Sequence, residues 1–278
     1  MAEAITAGMG PIKVDTAKKV DVDIRQEKFP TERVALPSKG LLYPEGSGLE
    51  DGYIEMRYMT TKEEDILSTQ SYIQSGVVID KLFQSMIASP IDYNSLVVGD
   101  KNAIMIAARM YGYGPDYSTV VKTEEGTEIP IQINLAEIGH KQFNESLVTK
   151  GQNLFKFTTP QGGNVLEFKL LTVKDQNDLV ASQKNLRKLG PGRADNQLTM
   201  SLRKMILSVD GDSSEDTLAK FITNMRAYDS RAFREYVESV QPDIDLSIEL
   251  EDPNTGEPFR GDIEIGLNLF YPDYKKPK

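Results

Sequence analysis

The chain contains no cysteine and a single histidine, His140. That one feature constrains the fold more than any other. Without disulfides or Cys/His metal clips, every turn and hairpin must be held by burial, hydrogen bonds and turn chemistry alone. It also constrains chemistry: cysteine nucleophiles and thiolate metal sites are excluded, and a zinc centre or Ser-His-Asp triad would have to rely on one histidine. Length offsets the missing crosslinks, since 278 residues are enough for a real core in one large or two small domains. Apolar residues make up 39% and charged residues 27%, the balance of an ordinary globular protein. The charge is acidic, 42 Asp and Glu against 32 Lys and Arg, for a net −10. Such a surface repels a phosphate backbone, and no local basic patch offsets it, which argues against a nucleic-acid partner. The first thirty residues hold no apolar stretch of the length a signal peptide or membrane span requires. The protein is therefore expected to stay where it is made, or to be carried from there into an assembly, with no membrane partner.

Residues 1–34 alternate charged with small side chains and read as a flexible, extended arm. The string Leu36-Pro37-Ser38-Lys39-Gly40-Leu41-Leu42-Tyr43-Pro44 is dense in turn formers and cannot be helical. Alternation over Tyr53–Met59 predicts a strand. Thr60 with Glu63, and Thr61 with Glu64, form overlapping capping boxes, so a helix is predicted from there to about Gln74 with Ile66, Leu67 and Ile73 inward. A second spans Val78–Ser89 and carries Ile79, Leu82, Phe83, Met86 and Ile87 on one face. A third begins near Asp100 as N-cap, carries Ile104, Met105, Ala108 and Met110, and stops at Gly112 and Gly114. Hairpins are predicted at 117–122 with 128–134, and at 154–158 with 165–171. Helices resume over Val173–Leu189 and Asn196–Val209, and two shorter ones follow, N-capped by Ser214 and Asp229. The last presents Phe233, Tyr236, Val237 and Val240 on one face. Finally Ile244, Leu246, Ile248 and Leu250 alternate with polar residues, and Ile263, Ile265, Leu267 and Leu269 answer them across the turn at 252–256.

The expected class is α+β: two helical modules, each followed by β-hairpins, plus the N-terminal arm. The expected division is 1–34 arm, 35–112 strand and helices, 113–172 hairpins, 173–241 helices, and 242–278 hairpin and tail. Both halves share this order, which admits an internal duplication matching 117–134 to 246–269.

The chemical motifs are weak. Asp210-Gly211-Asp212 opens like a calcium loop, but Glu215 replaces the sharp-turn glycine and Phe221 the bidentate glutamate. Gly112 and Gly114 lack the third glycine and following helix of a dinucleotide fingerprint. Ser38 beside Lys39 lacks the flanking pattern of Ser-Lys enzymes, His140 sits in a polar stretch and reads as a surface residue, and no carboxylate pair stands out. These readings point to interaction or assembly rather than catalysis, with no catalytic residue, cofactor or metal expected.

Several strings then occur in a telling order: Leu36–Tyr43, Met56–Leu67, Gly99-Asp100-Lys101-Asn102-Ala103-Ile104, Tyr111-Gly112-Tyr113-Gly114, Ser208-Val209-Asp210-Gly211, Asp229-Ser230-Arg231 and Phe270-Tyr271-Pro272-Asp273. Together, over about residues 36–274, the chain resembles the baseplate hub assembly family of T-even-like, contractile-tailed bacteriophages. Relatives in that family often carry Cys-Pro-x-Cys-Gly knuckles at the hairpin turns. Here Lys122-Thr123-Glu124-Glu125-Gly126 and Asp252-Pro253-Asn254-Thr255-Gly256 stand in their place, so the turns are expected to persist without zinc. The resemblance implies a non-enzymatic role in building the central baseplate hub, as a hub subunit or an assembly chaperone. The alternative is a hub-associated hydrolase acting on the host cell wall. Implied partners are other baseplate hub or tail proteins, or a second copy of the chain, met in the host cytoplasm during assembly and in the virion tail baseplate. Partner contacts are expected at Leu36, Pro37, Ser38, Gly40, Tyr43, Asp229, Arg231, Phe270 and Tyr271, with the arm ordering on a partner and the 244–269 hairpin accepting a strand.

Overall fold

The computed structural model describes residues 30–123, 126–188, 196–251 and 256–271. Strand β1 (Thr31–Ala35) pairs antiparallel with β2 (Tyr53–Arg57), Val34 opposite Ile54. The chain between them buries Leu36, Leu42 and Leu49. Four helices follow: α1 (Thr61–Ser68), α2 (Gln70–Ser75), α3 (Val78–Met86) and α4 (Val98–Tyr113). The capping box at Thr60 and Glu63 is formed, and α3 buries Leu82, Phe83 and Met86. Residues Gly99–Ala108 of α4 are mostly buried, as expected of a helix that is apolar on most of its circumference and runs through a core.

Strands β3 (Asp116–Lys122) and β4 (Glu128–Asn134) form the expected hairpin, with Asp116 opposite Asn134. Next, β5 (Phe155–Thr158) and β6 (Val165–Phe168) join β7 (Ile206–Val209) in a three-stranded sheet of order β5-β6-β7. Between β6 and β7 lie α5 (Val173–Lys188) and α6 (Gln197–Met205). After β7 come α7 (Glu215–Asn224), α8 (Ala227–Val240) and the hairpin of β8 (Ser247–Glu251) with β9 (Pro258–Asp262). The protein is thus α+β, with helical modules followed by small antiparallel sheets. One continuous core runs from Val34 to Phe270 and joins both helical modules.

Several expectations need correction. Thr31–Ala35, read mainly as the end of the arm, forms β1, because Val34 finds a buried place beside Ile54. The single helix expected from Thr60 to Gln74 is two, broken at Thr69. There the Ser68 and Thr69 hydroxyls donate to carbonyls of the preceding turn, at Glu64 and Asp65, and the backbone turns extended. Helix α4 begins at Val98 with Val97 as N-cap, so Asp100 lies inside its first turn, and the helix passes Gly112 to end at Gly114, whose φ is +83°. The helix expected over Asn196–Val209 ends at Met205, because Ile206–Val209 completes a buried sheet edge. Likewise α8 starts two residues before Asp229. In the last hairpin the pairing lies closer to the turn than expected. Ile244 leaves it to bridge His140, while Leu269, in a short 3-10 turn, and Phe270 after it enter the main core. Ser214 is the N-cap of α7 as expected. The turn residues 124, 125 and 252–255, the 189–195 break with the expected helix end at Leu189, the tail from Pro272 and the arm to residue 29 lie outside the described residues.

Candidate functional site

Four consecutive residues at the start of α4 hold three separate parts of the chain. Successive helical positions turn by about 100°, so one turn faces several directions, while positions three apart share a face. Gly99 faces the backbone of Pro242: a β-carbon there would lie 1.8 Å from the Pro242 carbonyl oxygen. Asp100 faces the 36–44 segment and is wholly buried. Its carboxylate accepts from the Ser38 N–H (2.9 Å), the Ser38 hydroxyl (2.6 Å) and the Tyr43 hydroxyl (2.5 Å), while the Tyr43 oxygen accepts from the Val97 N–H (3.0 Å). The Lys101 ammonium meets Asp80 at 2.8 Å and donates to Gln176 at 3.0 Å. Asn102 donates to Asp243 at 2.9 Å.

Burial pushes the Asp100 carboxyl up to about 6, although the Ser38 and Tyr43 donors pull the other way and the nearby Asp243 charge adds a little more. Burial and the Asp100 charge together raise Tyr43. A second buried network extends from Lys101. Asp80 also accepts from Tyr93 (2.7 Å) and Asn177 (2.7 Å), linking α3, α4 and α5, and burial followed by the Asp80 charge raises Tyr93.

Similar carboxylate ties hold the second half. Asp229, buried in the first turn of α8, accepts from the Gln161 N–H at 2.8 Å, and Arg226 donates to the Gln161 carbonyl at 3.0 Å. The calcium-loop look-alike is occupied by its own chain. Asp210 accepts from Asn164 and from the Val165 N–H, both at 2.7 Å, and Asp212 from the Ser214 N–H and the Thr217 hydroxyl.

Of the nine expected contact residues, the structure brings Ser38 and Tyr43 together around Asp100, with Leu36, Pro37 and Gly40 buried in the same segment. Asp229 stands apart, at the 160–163 turn. Phe270 packs on Phe83 at 6.4 Å between ring centroids, and the Tyr271 hydroxyl donates to the Leu67 carbonyl. Arg231 is exposed and pairs with Glu235 one turn on. Seven of the nine are therefore buried inside this chain; Arg231 is exposed and Tyr271 half-buried. Sequence reasoning missed Asp80, Tyr93, Lys101 and Asn177. The available signal was Lys101, a charge directly beside Asp100 at the start of an otherwise apolar helix.

Chemically the junction is a clamp. Ser38 has no solvent exposure, so its hydroxyl cannot meet a substrate, and the Asp100 oxygens are filled by three donors. His140 is exposed, as expected, and desolvation followed by the Lys39 charge lowers its pKa. Among the described residues no three His, Cys, Asp or Glu converge as a metal site, and no helix is long and apolar enough to cross a membrane.

Fold and junction define an α+β protein in which most motif residues dock its own segments against one another. The model of the T4 bacteriophage base plate protein family matches residues 31–265, and the chain belongs to that family: it is a structural protein of a phage baseplate. No curated protein and no solved structure matches it.

Proposed function

We propose that this protein acts, without catalysis, in building the central hub of the baseplate, as a hub subunit or as a chaperone for another hub component. Family membership supports the baseplate setting. The observation that carries an assembly role is the state of the sheets: three of the four have only two strands, so each keeps unpaired outer edges among the described residues. Such edges accept extended segments of partners through main-chain hydrogen bonds, with alternate side chains giving specificity. The β8–β9 hairpin is the acceptor for a hub partner, and assembly takes place in the host cytoplasm.

Quantitative mass spectrometry of purified virions beside infected-cell lysate tests this reading. A fixed, low ratio to other baseplate proteins in virions identifies a hub subunit, and abundance in lysate with absence from virions identifies a chaperone. A ratio matching a peripheral baseplate protein overturns the hub assignment. Clearing of a peptidoglycan suspension by the purified chain would overturn the non-enzymatic part.

A further inference from the structure

We propose that residues Val20–Arg25 of one copy of this chain add as a strand to the outer edge of β1 in a second copy. Four observations meet at that edge. First, β1 pairs on one side only, with β2, so its other side is open among the described residues. Second, a cavity of about 190 Å³ flanks this open side, lined by Val34, Ala103, Ile106, Ala107, Met110 and Ile138. It is a mostly apolar trough between the strand, α4 and the 135–140 segment, with Arg33 and His140 as its polar lining. Third, its lining has residues typical of an interface: Met110 and Tyr111 face it, and Tyr58 (42% exposed) leans on Tyr111. Tyrosine, arginine and methionine are the residues that anchor protein interfaces.

Fourth, the chain carries a matching segment. Val20, Val22 and Ile24 alternate with Asp21, Asp23 and Arg25. An antiparallel pairing that places Val20, Val22 and Ile24 on the Val34 side, over the trough, places Asp21 and Asp23 on the exposed side, where Arg33 lies over the Tyr53 ring. The apolar face and the two aspartates are satisfied by one register parity.

The link decides which copy is used. Only Gln26-Glu27-Lys28-Phe29-Pro30 separates the segment from β1. This stretch has no Gly, Asn or Asp, the residues that reverse a chain tightly, and it ends in proline, which lacks an N–H. Folding back onto its own β1 is disfavoured, and extension to a neighbouring copy is favoured. The proposal does not depend on whether the protein acts in the hub.

The cysteine-free chain makes the test clean. Full-length Val22→Cys and Met110→Cys chains are mixed, oxidised and digested, and a disulfide-linked peptide pair joining positions 22 and 110 is sought by mass spectrometry. Its appearance in the mixture supports strand exchange between copies. Its appearance only when both substitutions sit in one chain shows the segment folding back, and its absence from both shows that the trough is not its place; either result overturns the proposal. In parallel, Val22→Asp is expected to weaken self-association at least about tenfold, as burying a charge in an apolar trough requires, and to melt like the natural chain at concentrations where both are monomeric. An unchanged oligomeric state, or a monomeric natural chain, overturns it as well.

Discussion

The first turn of α4 and the two hairpins β3–β4 and β8–β9 hold non-local chain in place by opposite means. At the α4 junction, segments 62 and 141 residues apart are tied by a buried and a partly buried hydrogen bond, and Gly99 admits the Pro242 backbone at van der Waals range. The two hairpins meet chiefly where Val121 packs over Gly261. Val121 and Ile263 are buried but lie outside the main core, and Ile129, Ile131, Ile248 and Leu250 stay only half-buried. Low-dielectric burial makes each junction contact costly to lose, whereas a small, half-wet sandwich spreads its stability over weak contacts. A chain without crosslinks thus places its stringent interactions at one helix end and leaves its hairpins adaptable.

This contrast can be broken from the junction side. Asp100→Ala would strand the Ser38 N–H, the Ser38 hydroxyl and the Tyr43 hydroxyl, and is expected to cost about 4 kcal/mol in chemical denaturation. A loss below about 1 kcal/mol would show that water replaces the carboxylate. Gly99→Ala drives a methyl group into the Pro242 carbonyl and is expected to cost about 3 kcal/mol, with the first melting change at the α4 to 242 contact in hydrogen exchange. A pH series sharpens the comparison. The folded carboxyl of Asp100 titrates at about 6, above its ordinary 3.8, so the folded state binds that proton more tightly than the unfolded state. Its contribution is fully present below about pH 4 and is lost as pH rises through about 6, roughly 3 kcal/mol in all. The stability difference between the natural chain and Asp100→Asn should narrow across that window; a flat difference would place the carboxylate in a wetter setting. On the hairpin side, Lys122 and Glu128 pair at 3.1 Å with both side chains about two-thirds exposed. Lys122→Ala should change stability by less than about 0.5 kcal/mol.

The same contrast explains what the sequence made legible. Hairpin β3–β4 was readable because alternation and a glycine turn are local signals, and the Thr60 box because its two residues lie three apart. The β7 strand was not, since Ile206-Leu207-Ser208-Val209 continues an apolar face without any break, and only β6, some forty residues earlier, makes it a strand. Asp100 looked like an N-cap because an acidic residue before an apolar run usually is one. That its oxygens serve Ser38 and Tyr43 instead is written only in the fold. The turn-rich 36–44 string was recognised as irregular, but its role as a docked segment depends on α4.

The contacts of Phe270 and Tyr271 bear on how the chain is made. Phe270 closes over Phe83, and Tyr271 bonds a carbonyl 204 residues earlier. At roughly 5–20 residues per second of synthesis, on the order of 10–40 s pass between the emergence of Leu67 and that of Tyr271. Throughout that interval the first helices must wait with an uncovered aromatic face. The N-terminal module is therefore finished by a segment translated some two hundred residues after it, and termination before that segment would leave it open.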